Sequence, residues 1–176
     1  LQGAMEDSRK FSKEYCRCSE NEKAGKILEE IVETLNERKR AQNRARTALQ
    51  EAFSERDFIR DYEQICIFID DLKEFVDSVS NENKNSMERI SRLAQGLGVL
   101  IFAAGRAADL ARYNEIESLT RVLIGNQKGI VLGGSPSLCS FFINDLNYQE
   151  KVRELKEGEA YLYDKGTCRK IKPVSS

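Results

Sequence analysis

Ile65-Cys66-Ile67-Phe68-Ile69-Asp70-Asp71 decides how the rest of this chain is read. Five apolar residues, three of them β-branched isoleucines, end abruptly in two carboxylates. The run is too short for a buried helix and does not alternate with polar residues, so it reads as a strand buried on both faces, as in parallel sheets. Val99-Leu100-Ile101-Phe102-Ala103 repeats the pattern, and Gly129-Ile130-Val131-Leu132 gives a third such run. Helical periodicity fills the intervals. Residues 72–79 read as one helix. Residues 87–97 read as another, with Ile90, Leu93, Ala94 and Leu97 on one face and Gly96 and Gly98 at its end. Ile116, Leu119 and Val122 fit a short helix or its exit. Strands alternating with helices predict an α/β fold, a layered sandwich around a mainly parallel central sheet that holds residues 65–69, 99–103 and 130–132 together.

Working outward, residues 1–18 show no periodicity. Ser19 and Glu22 have capping-box spacing, which marks a helix start. Ile27, Leu28, Ile31, Val32 and Leu35 then form one apolar face, and Ile27, Ile31 and Leu35 are expected to pack against the sheet. The basic run at 36–46, Asn-Glu-Arg-Lys-Arg-Ala-Gln-Asn-Arg-Ala-Arg, reads as a solvated helix face, with contact to a nucleotide, a partner or nucleic acid as the alternative. Near the other end, Glu-Ala-Tyr-Leu-Tyr at 159–163, the turn Asp164-Lys165-Gly166 and residues 168–173 read as a β-hairpin in which Tyr161 and Tyr163 pack.

A chain of 176 residues suits one domain, residues 1–176. Its 28 basic and 29 acidic residues, net charge −1, give no electrostatic reason to expect nucleic acid. Five cysteines, scattered and odd in number, argue for a reducing compartment over a disulfide framework. Histidine is absent, which removes Ser-His and Cys-His catalysis and His-ligated metals. No apolar run reaches the length of a membrane span, and the first residues lack the apolar region of a signal peptide.

The candidate chemistry sits at strand ends. A strand closing in Asp70-Asp71 has the form of a Walker B motif. Asp70 would hold Mg²⁺ and Asp71 would orient an attacking water, at the carboxyl edge where open α/β folds bind ligands. The plain reading of the same pair is helix capping. The companion phosphate loop, G-x-x-x-x-G-K-S/T, is not formed by any of the eleven glycines. Gly133-Gly134-Ser135-Pro136 reads as a turn whose amides could bind an anion.

In order and spacing these segments resemble an FtsK/SpoIIIE-type ATPase domain, in the style of the C-terminal modules of type VII secretion motors (the EssC/EccC/YukB family). The resemblance spans roughly residues 20–173. It rests on LEEIVETLNERKR, on ICIFIDDL where the family has an apolar strand and DEFADL, and on GLGVLIFAAGR where it has GIHLILATQRP. It continues through LTRVLIGNQKGIVLGGS and closes on VRELKEGEAYLYDKGTCRKIKP. It implies a RecA-like P-loop sandwich with ATP and Mg²⁺ as cofactors, incomplete at its N-terminus because the P-loop would lie before Leu1. Asp71 stands where active members have glutamate, and Ala104-Gly105 where they have Thr-Gln, while Arg106 is retained. The set implies a degenerate module that recognises secreted protein substrates or regulates export beside other ATPase domains of the same motor. That motor would sit at the cytoplasmic face of the bacterial membrane, anchored through upstream segments. Asp70, Asp71, Arg106, Gly133, Gly134 and Ser135 are the resulting site candidates. The alternatives are an active FtsK-type DNA translocase domain and a receiver-like Mg²⁺-binding regulatory domain.

Overall fold

The computed structural model describes residues 20–126, 128–139 and 146–172. Ser19, residues 1–18 and Pro173 lie outside that set, so the capping-box and irregular-terminus expectations are not addressed by it. The described part of the chain is α/β. It groups into two compact units, one from Leu1–Ile67 with Glu74–Ile101 and one from Phe68–Lys73 with Phe102–Ser176, counting only described residues.

The first unit is built on α1, Asn21–Leu49, and includes α2, Glu55–Arg60, and α4, Asn81–Leu93. Ala24, Leu28, Val32 and Leu35 of α1 are buried, as are Met87 and Ile90 of α4, the helix it packs against. Ile27 and Ile31, expected with Leu35 to pack against the sheet, are half-buried. Two polar locks fix the pair. At one end Asn83 Nδ2 donates to Asn21 O at 2.9 Å, Ser80 N donates to Asn21 Oδ1 at 2.8 Å, and Ser80 caps α4. A Cβ on Gly25 would lie 3.0 Å from Asn83 Oδ1, so glycine permits this close approach. Farther along, Gln42 Nε2 donates to Gly96 O at 3.2 Å, just past the end of α4. The two helices therefore run in the same direction.

β1, Ile65–Ile69, and β2, Val99–Ala103, form a two-stranded sheet. Ile65 N donates to Gly98 O and Ala104 N donates to Ile69 O, so start meets start and end meets end: the strands are parallel. α3, Leu72–Ser78, follows β1 directly.

The second unit holds a three-stranded antiparallel sheet in the order β3-β4-β5, with β3 Lys128–Gly134, β4 Leu155–Asp164 and β5 Thr167–Ile171. Also in it are α5 Ala107–Ile116, α6 Ser118–Gly125, a 3-10 turn at Pro136–Cys139, and α7 Tyr148–Val152. Val131, Cys139, Leu155 and Tyr161 form its buried cluster, with Ala107, Leu146 and Cys168 packed against it. The hairpin expectation holds: Lys165 and Gly166 both take positive φ between β4 and β5, the two-residue turn that matches strand twist. Tyr161 and Tyr163 are buried, as packing residues should be.

Two expectations are corrected. Residues 130–132 form a strand, but not beside β1 and β2. β4 is ten residues long and pairs with β3 along one edge and β5 along the other, so the larger sheet is antiparallel, not parallel. Nor are β1 and β2 buried on both faces. Phe68 is 70% exposed and Phe102 50%, and the two rings stack on each other with centroids 4.9 Å apart. Ile67 is half-buried. Continuous apolar runs arise here because one face is packed and aromatic residues pair across the other, a cross-strand contact.

One charge cluster gives this sheet a pH signature. The Glu159 carboxylate accepts Lys170 Nζ at 2.7 Å and the Lys156 amide at 3.0 Å, with Arg153 Nη2 at 3.8 Å. The Lys170 bond, then the Lys156 amide, lower its pKa to about 2. A lowered folded-state pKa means the unfolded chain binds more protons, so stability rises with pH through this window and is lost as pH falls toward the folded value. NMR titration should place the Glu159 midpoint near 2, and Glu159→Gln should flatten the pH dependence of unfolding between about pH 2 and 4.5. A midpoint in the ordinary glutamate range would remove the basis for this.

Candidate functional site at the carboxyl ends of β1 and β2

Asp70 and Asp71 follow the last residue of β1 and are both exposed, immediately before α3. Their neighbourhood is set by backbone. Ala104 N donates to Ile69 O at 2.8 Å, and Leu72 N donates to Ala104 O at 2.8 Å. The acid pair is thus flanked on both sides by residues bonded to Ala104, and the Ala104-Gly105-Arg106 segment runs beside it. Parallel pairing does this by itself, because it puts two carboxyl ends side by side. Arg106 is the exposed N-cap residue of α5.

Gly105 restricts what this segment can carry. A Cβ there would lie 3.1 Å from Leu110 Cδ2 and 3.3 Å from Leu110 Cγ, so a longer side chain requires Leu110 to shift.

Gly133 and Gly134 end β3 at a break in register, with φ of 71° and 69°. Substituted residues would be strained there whatever the space. The Ser135 hydroxyl shares a 2.7 Å bond with Ser137 Oγ and reaches Lys151 O at 3.5 Å. This is a turn bonded to its own surroundings. Ala107, the residue after Arg106, packs on the cluster that contains Val131 and Cys139, and α5 contacts the 3-10 turn. The segments after β2 and β3 therefore belong to the same unit.

Among the described residues no three Cys, Asp or Glu side chains form a group able to hold a metal ion. Asp70 and Asp71 could offer Mg²⁺ one or two oxygens, the number it takes from protein when phosphates and water supply the rest. Cys139 is buried and desolvation raises its thiol pKa, which disfavours the nucleophilic thiolate. No helix among the described residues is long and apolar enough to cross a membrane.

The basic run on α1 holds structural detail that apolar periodicity does not reveal. Arg38 and Gln42 are buried, 7% and 1% exposed, where a solvated face was expected. Arg38 Nη1 donates to Leu97 O at 2.9 Å and Nη2 to Glu63 O at 2.8 Å, and its guanidinium lies 5.2 Å from the centre of the Tyr62 ring. One arginine in mid-helix thus ties the segments that lead into β1 and β2. A signal existed: 24, 28, 32, 35, 38 and 42 continue one helical stripe, and polar residues on a buried stripe need partners.

Comparison with protein-family models, with curated proteins and with solved structures found no match.

Proposed function

We propose that this chain is a degenerate FtsK/SpoIIIE-type ATPase module of a type VII secretion motor that recognises or regulates export instead of hydrolysing ATP. The observation that carries the reading is the juxtaposition of Asp70-Asp71 with Ala104-Gly105-Arg106 at adjacent carboxyl ends of two parallel strands. That is where a Walker B pair and the following strand's polar residue face the same phosphate in the family. The P-loop sandwich itself is part of the proposal, with β1 and β2 as a portion of its parallel sheet.

The residues present do not fit MgATP. Asp70 and Asp71 supply the metal side, but the described residues offer no phosphate loop with a lysine. Under this reading the module works by docking secreted substrates or neighbouring ATPase domains, at the cytoplasmic face of the membrane that the motor spans. Nucleic acid is not a partner.

Two surfaces suit docking. One is α5 with Arg106, Asp109, Arg112 and Tyr113; the other is the turn at residues 133–137. Arg and Tyr are residue types enriched at interface hot spots. In the parent motor, Asp71→Asn should leave secretion largely intact, while Tyr113→Ala should abolish it with the fold preserved by circular dichroism. Export that stops with Asp71→Asn and survives Tyr113→Ala would identify a working ATPase and overturn the reading.

A further inference from the structure

Residues 36–46 carry five cations, Arg38, Lys39, Arg40, Arg44 and Arg46, and one carboxylate, Glu37. The structure sorts them. Arg46 Nη2 pairs with Glu55 Oε1 at 2.7 Å and lies over Phe53, and Lys39 Nζ donates to Gln42 Oε1 at 3.0 Å. Arg38 is buried. Arg40 and Arg44 remain, one helical turn apart and exposed, with no ion pair among the described residues. Like charges at that spacing repel, and an anion between them would reverse this.

These residues share a concavity. Arg38, Arg40, Arg44, Glu37 and Tyr62 line an open groove of about 500 Å³. That volume falls within the range of roughly 300–1,000 Å³ typical of small-molecule sites. Arg38 gives the groove an uncompensated floor. Its acceptors are two neutral carbonyls, its Nε–H has no partner, and among the described residues it meets no carboxylate. A buried cation without an anion is unfavourable, and a nearby oxyanion relieves it.

We infer that this groove binds a phosphate-bearing anion. Arg40 and Arg44 supply exposed planar forks suited to phosphate oxygens, and Arg38 adds positive potential from below, where screening is least. Glu37 opposes binding and sets its upper limit. The site lies on α1 and the segment before β1, away in sequence from Asp70 and Asp71. It therefore goes beyond the proposed function and does not depend on it.

The test is a ¹⁵N NMR titration of the full chain with pyrophosphate at low salt, repeated with ADP. Pyrophosphate should cause saturable shifts in residues 34–44, in Tyr62 and in the Arg38 Nε–H resonance, weakening as salt is added. Arg40→Gln with Arg44→Gln should weaken affinity at least about tenfold, equivalent to about 1.4 kcal/mol, with thermal unfolding unchanged because both side chains are exposed. Glu37→Gln should tighten binding, and Asp70→Asn should leave it unaltered. ADP binding like pyrophosphate supports recognition of the phosphate alone; ADP binding more tightly with larger Tyr62 shifts supports a nucleotide. Absence of saturation through the millimolar range, binding untouched by the arginine pair, or binding of single-stranded oligonucleotide without pyrophosphate would each overturn the inference. Nucleotide binding lost with Asp70→Asn but kept in the arginine variant would place it at the β1–β2 ends instead.

Discussion

Leu35→Ala is expected to remove about 2–5 kcal/mol of stability, the usual range for truncating a fully buried leucine. Leu35 has no exposed surface and sits on the α1 stripe that packs against α4, opposite a helix whose Ile90 is equally sealed. Parallel helices locked at both ends by Asn21–Asn83 and Gln42–Gly96 cannot easily collapse into the space left, so the cavity cost should add to the transfer cost. Native stabilities are only about 5–15 kcal/mol, so this one change should remove a large share. Urea unfolding followed by circular dichroism measures it. Ile27→Ala, on the half-buried flank of the same helix, is the control and should cost about 1 kcal/mol or less. Equal losses at the two positions would mean that the α1–α4 packing has been misread.

Arg38→Met should be the second most damaging change, at about 2–4 kcal/mol. Two bonds from a charged donor, each worth about 1.5–3 kcal/mol, are lost, and Leu97 O is left buried without its donor. Relief of an uncompensated buried charge offsets part of this. Arg38→Lys should recover about half of the loss, because an ammonium is a point donor and cannot span both the Leu97 and Glu63 carbonyls as a planar fork does. Hydrogen exchange adds a local readout: amides of Ile65 and its neighbours should exchange faster, since Ile65 N bonds to Gly98 O beside the tethered Leu97. A neutral Arg38→Met would show that the fork is incidental to the start of the parallel pair.

Much of the fold was legible residue by residue. The β1 and β2 runs were found with their bounds, because a short β-branched run between turn residues has few other solutions. The α3 and α6 segments and the β4–β5 hairpin followed from apolar spacing and from Lys165-Gly166, whose turn chemistry is local. The helix from Asn21 was found but stopped short. Its continuation to Leu49 is polar, and apolar periodicity is silent where the buried positions on the same stripe are Arg38 and Gln42. The acid pair is legible at a strand end from these runs, whereas the segment at 104–106 is singled out by the family resemblance.

The sequence by itself determined which segments hold strands and, for β1 and β2, where they end, and hence that Asp70-Asp71 and Ala104-Gly105-Arg106 each follow a strand. Those are local properties, fixed by side-chain branching, apolar spacing and turn residues within a few positions. Only the tertiary structure decided where β3 pairs. β3 joins β4 and β5, and not β1 and β2, because pairing is settled by backbone complementarity between distant segments, and the ten-residue β4 had two edges to offer. The same is true of the α1 arginines. Arg38, Arg40 and Arg44 are chemically alike, and they differ only because Leu97 and Glu63 bring two carbonyls to the first and leave the other two facing water.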